Sequence, residues 1–219
     1  MANIKLYILV EGPNDIDILR DFLKYHYAVR QGNKAKTEQR LHSENMDIAI
    51  RQLSGWGDIN TEDVQEDILG MADQGYKVLV IFDADDDSGK HSYGGVTARS
   101  NYLKDIFTDL YHQNNLLNYD IFLFPNNQDD GDLETLLIKA VPSTRSEALQ
   151  CLHEYRECLQ QKMANSDKTV KVPDLKQIVY NLYPSIFGLK KQKQDRWDFD
   201  SEAFTPLKVF LSEHLDLGN

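Results

Sequence analysis

A chain of 219 residues with a formal net charge of −11 can bury one full core plus an appendage, and it lacks the lysine and arginine excess with which proteins coat nucleic acid. No apolar run approaches the ~20 residues of a membrane span, and the first residues show no basic stretch followed by a long apolar one, which predicts a cytoplasmic protein that touches no membrane. Cys151 and Cys158 lie seven apart in a helical-looking segment, about 10 Å from each other on one face and too far for a disulfide, so reduced, half-buried thiols are expected.

In chain order, Ile4 to Val10 form a first apolar run, followed by Glu11-Gly12-Pro13-Asn14-Asp15 and a helical pattern with Ile16, Leu19, Phe22 and Leu23 on one face. That reads as strand, turn and helix: Gly12 for a tight turn, Pro13 near the helix start, Asp15 in the first helical turn. Residues 28–47 are polar and basic with little periodicity, an excursion or long loop. A short strand from Asp47 to Leu53 ends at Gly55-Trp56-Gly57, where the tryptophan reads as packing, and an amphipathic helix runs from about Thr61 to Gln74, closed by Gly75. After the central strand, the apolar run Val78 to Phe82, come a glycine-containing loop and a helix from about Thr97 to Gln113, with Leu103, Ile106, Phe107 and Leu110 inward. Tyr119 to Phe124 make a fourth strand, and a helix opens at Glu134 and ends near Pro142. The final third reads as helices from Ser143 to Ala164, Pro173 to Tyr183 and Thr205 to Leu215. Strand and helix thus alternate four times, predicting an α/β fold with a mostly parallel four-stranded sheet, helices on both faces and a helical C-terminal extension. The expected boundary divides residues 1–140 from 141–219.

The segment that organises the chain is Lys77 to Gly89. Val78-Leu79-Val80-Ile81-Phe82 is a continuous apolar run suited to a strand buried on both faces, and Asp83, Asp85, Asp86 and Asp87 follow it at once. Carboxylates so crowded repel one another unless something positive sits among them, and a divalent cation is the economical candidate. Asp83 and Asp85 are two apart, so along an extended strand end both would leave the same face. Ligands of a doubly wound sheet bind beyond the carboxyl ends of its strands. Three such ends are acidic here: Glu11, then Asp83 with Asp85, then Asp132 with Glu134.

Glu11-Gly12 after a first strand, Asp15 beyond the glycine, Asp83-x-Asp85 after a later apolar strand and Gly131-Asp132-Leu133-Glu134 together resemble the TOPRIM domain, which is Rossmann-like. The last element looks like that of overcoming-lysogenization-defect nucleases and of small stand-alone prokaryotic TOPRIM-like proteins. The likeness covers roughly residues 1–140. It implies Mg2+ (or Mn2+) held by Glu11, Asp15, Asp83, Asp85 and Glu134, less surely Asp132 and Asp87, with Glu11, Asp83 and Asp85 as the catalytic set for phosphodiester cleavage in DNA or RNA. Hard carboxylate oxygens suit such ions. The nuclease branch also implies a lysine, for which Lys139, Lys190 and Lys191 are candidates. No strand-passage domain, primase zinc module or large ATPase accompanies the motifs, so topoisomerase and primase activities are not expected.

Each acid also has a plainer role, since carboxylates near helix N-termini are favoured by the macrodipole. His91 is a general base or ligand on one reading and a solvated histidine on the other. The basic groups Lys34, Lys36 and Arg40, and Lys190, Lys191, Lys193 and Arg196, are solvated surface or a phosphate rim. The C-terminal Trp197, Phe199, Phe204, Leu207 and Phe210 close a helical appendage or form a homodimer surface. Two other functions compete with the nuclease. One is a TOPRIM-like binding or regulatory module that needs a partner such as an ATPase. The other is a haloacid-dehalogenase-like phosphatase with Asp83 as nucleophile, although that motif follows a first strand and continues with threonine, whereas here Asp87 follows.

Overall fold

The first strand, β1 (Ile4–Val10), sits in the middle of a six-stranded sheet because all of Leu6 to Val10 are apolar and buried. The computed structural model describes residues 4–34, 37–86, 93–163, 172–189 and 196–215. Around β1 stand β2 (Arg30–Lys34), β3 (Glu38–Ser43), β4 (Met46–Gln52), β5 (Lys77–Asp83) and β6 (Tyr119–Phe124), in the order β2-β3-β4-β1-β5-β6. The β4-β1-β5-β6 core is parallel throughout, with Ile8 opposite both Ile50 and Leu79. These are the four strands expected from the sequence.

The sheet is nonetheless mixed and larger than expected. Residues 28–47 contain an antiparallel pair, β2 and β3, with β3 joined to β4. Polar strands can lie at a sheet margin because only part of each face is covered there. In β3 Gln39 and Leu41 point inward, while β2 is Arg-Gln-Gly-Asn-Lys.

Helices α1 (Pro13–Tyr27), α2 (Glu62–Asp73) and α3 (Val96–Gln113) follow β1, β4 and β5. Val64, Ile68 and Met71 of α2 and Leu103, Phe107 and Leu110 of α3 pack with Tyr7, Leu9, Val78, Val80, Phe82 and Leu123 on one face of the sheet. Burying the five residues Val78 to Phe82 contributes on the order of 10 kcal/mol before chain entropy is subtracted. That anchorage can hold carboxylates at the strand end in surroundings that disfavour their charge.

The chain forms two compact units, Met1–Leu133 with Thr205–Asn219, and Glu134–Phe204. In the first unit, α8 (Thr205–Leu215) places Phe210 against Phe122 of β6, ring centroids 5.3 Å apart, and His214 Nδ1 3.0 Å from Lys77 Nζ.

The second unit holds α4 (Leu133–Lys139) from its second residue, α5 (Ser143–Met163), α6 (Leu175–Gln177), a π turn at Ile178–Leu182, and α7 (Tyr183–Ile186). The segment read as one helix from Pro173 is therefore three consecutive helical pieces. Buried residues of the second unit include Leu136, Leu137, Ile178, Val179, Tyr183, Trp197 and Phe199, with the Tyr183 and Trp197 rings stacked 5.6 Å apart. Cys151 and Cys158 are free and exposed rather than half-buried, because the polar α5 buries little beyond Leu149.

Candidate functional site

The carboxyl ends of β1 and β5 bring Glu11 and Asp83 together. The Glu11 Oε1 accepts the Asp83 backbone N–H at 2.9 Å. Burial, the largest influence, pushes the Glu11 carboxyl up to about 7; the Arg99 guanidinium and the Asp83 N–H pull it down, and the Asp85 and Asp15 charges raise it again. Glu11, Asp15, Asp83 and Asp85 therefore form one electrostatic neighbourhood in the first unit.

Each acid has its own setting. Asp15 is buried in the first turn of α1, where its Oδ2 accepts the Gly12 N–H at 2.7 Å, the helix-start role of a first-turn acid. Gly12 itself is extended, with φ −145° and ψ 175°, so the turn does not draw on glycine's freedom. Asp83 ends β5, is buried, and accepts the Leu133 N–H on Oδ1 at 2.9 Å.

Asp85 leaves the extended conformation that the sequence suggested. Its φ is +59°, and its backbone exchanges hydrogen bonds of 2.7 and 2.8 Å with Gly131, whose φ of +141° suits glycine. The same-face argument for Asp83 and Asp85 consequently fails, and the two carboxylates take different partners.

The partner of Asp85 is Arg99, a residue that the strand-end pattern did not reveal. Arg99 lies in the first turns of α3 and is completely buried, 0% exposed. Its Nη2 donates to Asp85 Oδ2, and its Cζ lies 4.5 Å from the centre of the Trp56 ring. Its Nε and Nη1 are buried without a hydrogen-bond partner among the described residues. The signal was available: Arg99 continues the inward stripe of Leu103, Ile106, Phe107 and Leu110, so a cation stands where the helix period calls for an apolar residue. Trp56, read as packing, also meets Tyr93 and Tyr102, at 5.9 and 5.3 Å.

Glu134 belongs to the second unit. It is 2% exposed, and its Oε1 stands 3.9 Å from Lys176 Nζ. Lys139, at the end of α4, is exposed. Arg40 is engaged on β3, donating to Glu38 at 2.7 Å and to the Tyr76 hydroxyl at 3.1 Å, which removes it from a free phosphate rim. Asp87, His91, Lys36, Lys190, Lys191 and Lys193 lie outside the described residues, as does the side chain of Lys34. A groove of about 660 Å³ between α3 and β6, lined by Ser100, Lys104, Tyr119 and Asp120, contains none of the acids named above.

Residues 5–215 match the family described as "Protein of unknown function (DUF3226)". The chain belongs to that family. This DUF3226 member also resembles in structure a hypothetical protein from Pyrococcus horikoshii OT3, with a TM-score of 0.56 and 14% identity over 98% of this chain and 90% of the other. At that identity the likeness speaks to the fold alone. None of the curated proteins matches this DUF3226 chain.

The donor chemistry at the DUF3226 strand ends fits a hard divalent cation. Among the described residues no three His, Cys, Asp or Glu side chains converge on one point. Mg2+ does not need three, because it is commonly bound by one or two carboxylates and completes its shell with water and substrate phosphate.

Proposed function

We propose that this DUF3226 protein is a TOPRIM-like enzyme that cleaves nucleic-acid phosphodiesters with Mg2+ or Mn2+. The observation that supports this reading is the Glu11 carboxylate. It is half-buried, accepts the Asp83 N–H, lies within the field of Asp85, and is pushed up to about 7, close to neutrality. A carboxylate raised by burial at the carboxyl edge of a parallel sheet, where ligands of such sheets bind, is a candidate for chemistry.

The chain's own groups have distinct roles in this account. The Asp83 N–H fixes the Glu11 side chain, and Asp83 through the Leu133 N–H ties the end of β5 to the segment that follows β6. Arg99 positions Asp85, and the Trp56 ring covers the guanidinium. Glu11 becomes an effective ligand once it has lost its proton. A bound cation would neutralise phosphate charge and lower the pKa of an attacking water.

A second reading draws support from the same ion pair. Arg99 already supplies a positive charge to Asp85, which suits a TOPRIM-like binding or regulatory module that acts with a partner such as an ATPase. The phosphatase alternative is disfavoured because Asp83 is buried and its carboxylate is bound by the Leu133 N–H. Incubation of single- and double-stranded DNA and RNA with Mg2+ or Mn2+ separates the readings. The enzyme reading expects cleavage that disappears in Asp85→Asn and Asp83→Ala; nucleic-acid binding without cleavage by the wild type would favour the module.

A further inference from the structure

Arg99 stands where folding alone gives little reason for a cation. It is the fourth residue of α3, at the helix end where the macrodipole favours acids over bases, and it is completely buried. A guanidinium at that depth is ordinarily satisfied by several acceptors. Here only Nη2 has one, on Asp85 Oδ2, while Nε and Nη1 are buried without a hydrogen-bond partner among the described residues. Trp56 covers the group, its ring centre 4.5 Å from Cζ, but an unbranched apolar chain would pack on the same ring.

The charge of Arg99 serves acids from two strand ends. Asp85 is paired with it directly, and at the half-buried Glu11 it opposes the repulsion exerted by Asp85 and Asp15. Both of these carboxylates are held by backbone: Asp85 through its exchange of hydrogen bonds with Gly131, Glu11 through the Asp83 N–H. A positive charge with unfilled donors, set beside two fixed carboxylates, supplies what a divalent ion would otherwise supply there.

We infer that Arg99 is a resident counter-cation: its guanidinium fills one cation place beside Glu11 and Asp85, so that the chain binds one divalent ion fewer than its carboxylates would otherwise hold. The identity of the ion rests on the proposed function; the filling of the place by Arg99 does not. The exposure of Asp85 separates this role from that of a structural ion pair. Its side chain is 24% exposed, so water can solvate it once the guanidinium is gone, and an uncharged residue at position 99 leaves no fully buried charge stranded. An arginine kept for the fold would be missed in stability when replaced. A resident cation is missed in ion binding instead.

The test counts Mn2+ equivalents bound by the full chain at pH 8, from the paramagnetic resonance signal of the free ion during titration, with urea unfolding of the metal-free proteins alongside. Arg99→Met and Arg99→Gln should each bind one equivalent more than wild type, with a urea midpoint no lower than that of wild type. Arg99→Lys keeps a charge and should bind as wild type does. Equal equivalents in wild type and both neutral variants, an extra ion in Arg99→Lys, or neutral variants that are less stable or do not fold would overturn it. The wild-type count judges the proposed function separately. No ion in wild type and one in each neutral variant contradicts the metal-dependent enzyme and upholds the resident cation, whereas one ion in every protein does the reverse.

Discussion

Ionising Glu11 works against the fold. Between the ordinary glutamate value of 4.5 and about 7 the folded chain keeps a proton that the unfolded chain has released. Stability therefore falls as pH rises through that window and is level above it, by up to about 3 kcal/mol. Glu11→Gln keeps an oxygen for the Asp83 N–H and removes the charge. Urea unfolding should show the variant about 2 kcal/mol more stable than wild type at pH 8 and equal to it near pH 4. Equal stability at both pH values would mean that the carboxylate is not desolvated. The placement of Glu11 and Asp83 at strand ends was readable because each ends an apolar run, with Asp85 two residues beyond. Arg99 was not, because an inward-facing stripe is sought among apolar residues and a buried guanidinium shows itself only through its partners.

At the scale of elements, the polar network between β1, β4 and α2 sets the frame for the site. The Tyr7 hydroxyl donates to Asp67, which also receives Arg51, while Arg51 reaches Asp63 at 3.0 Å. Burial, followed by the Asp67 hydrogen bond, raises the Tyr7 pKa and keeps the phenol a donor. Tyr7→Phe should cost about 1–2 kcal/mol by removing that bond inside the core, with little change in the sheet. Thermal unfolding with an unchanged far-ultraviolet spectrum checks this, and no loss of stability would show that the hydroxyl contributes nothing net. The parallel strands were readable as apolar runs buried on both faces, and α1, α3 and α8 by an apolar period near 3.6. The β2–β3 pair was not, since strands at the margin are fixed by pairing to β4 rather than by their own hydrophobic pattern.

For the molecule as a whole, residues close together in the first unit come from opposite ends of the chain. Thr205–Asn219 return to it after the second unit has been traversed, and Phe210 packs on Phe122. Phe210→Ala should destabilise by about 3 kcal/mol, read as a lower urea midpoint. An unchanged midpoint would show that α8 is not integral to the first unit. The sequence marked the hydrophobic face of this last helix but not its partner Phe122, because amphipathicity says that a face is covered and not by which part of the chain.

The proposed cation site joins acids distant in sequence beside Arg99. Calorimetric titration of Mn2+ at pH 8 into wild type, Glu11→Gln and Asp85→Asn tests it most directly. Binding by wild type that weakens at least tenfold in both variants, and that releases protons when repeated near pH 6.5 as Glu11 is displaced from its protonated form, is the predicted result. Absence of binding by wild type, or equal binding by all three proteins, would contradict it.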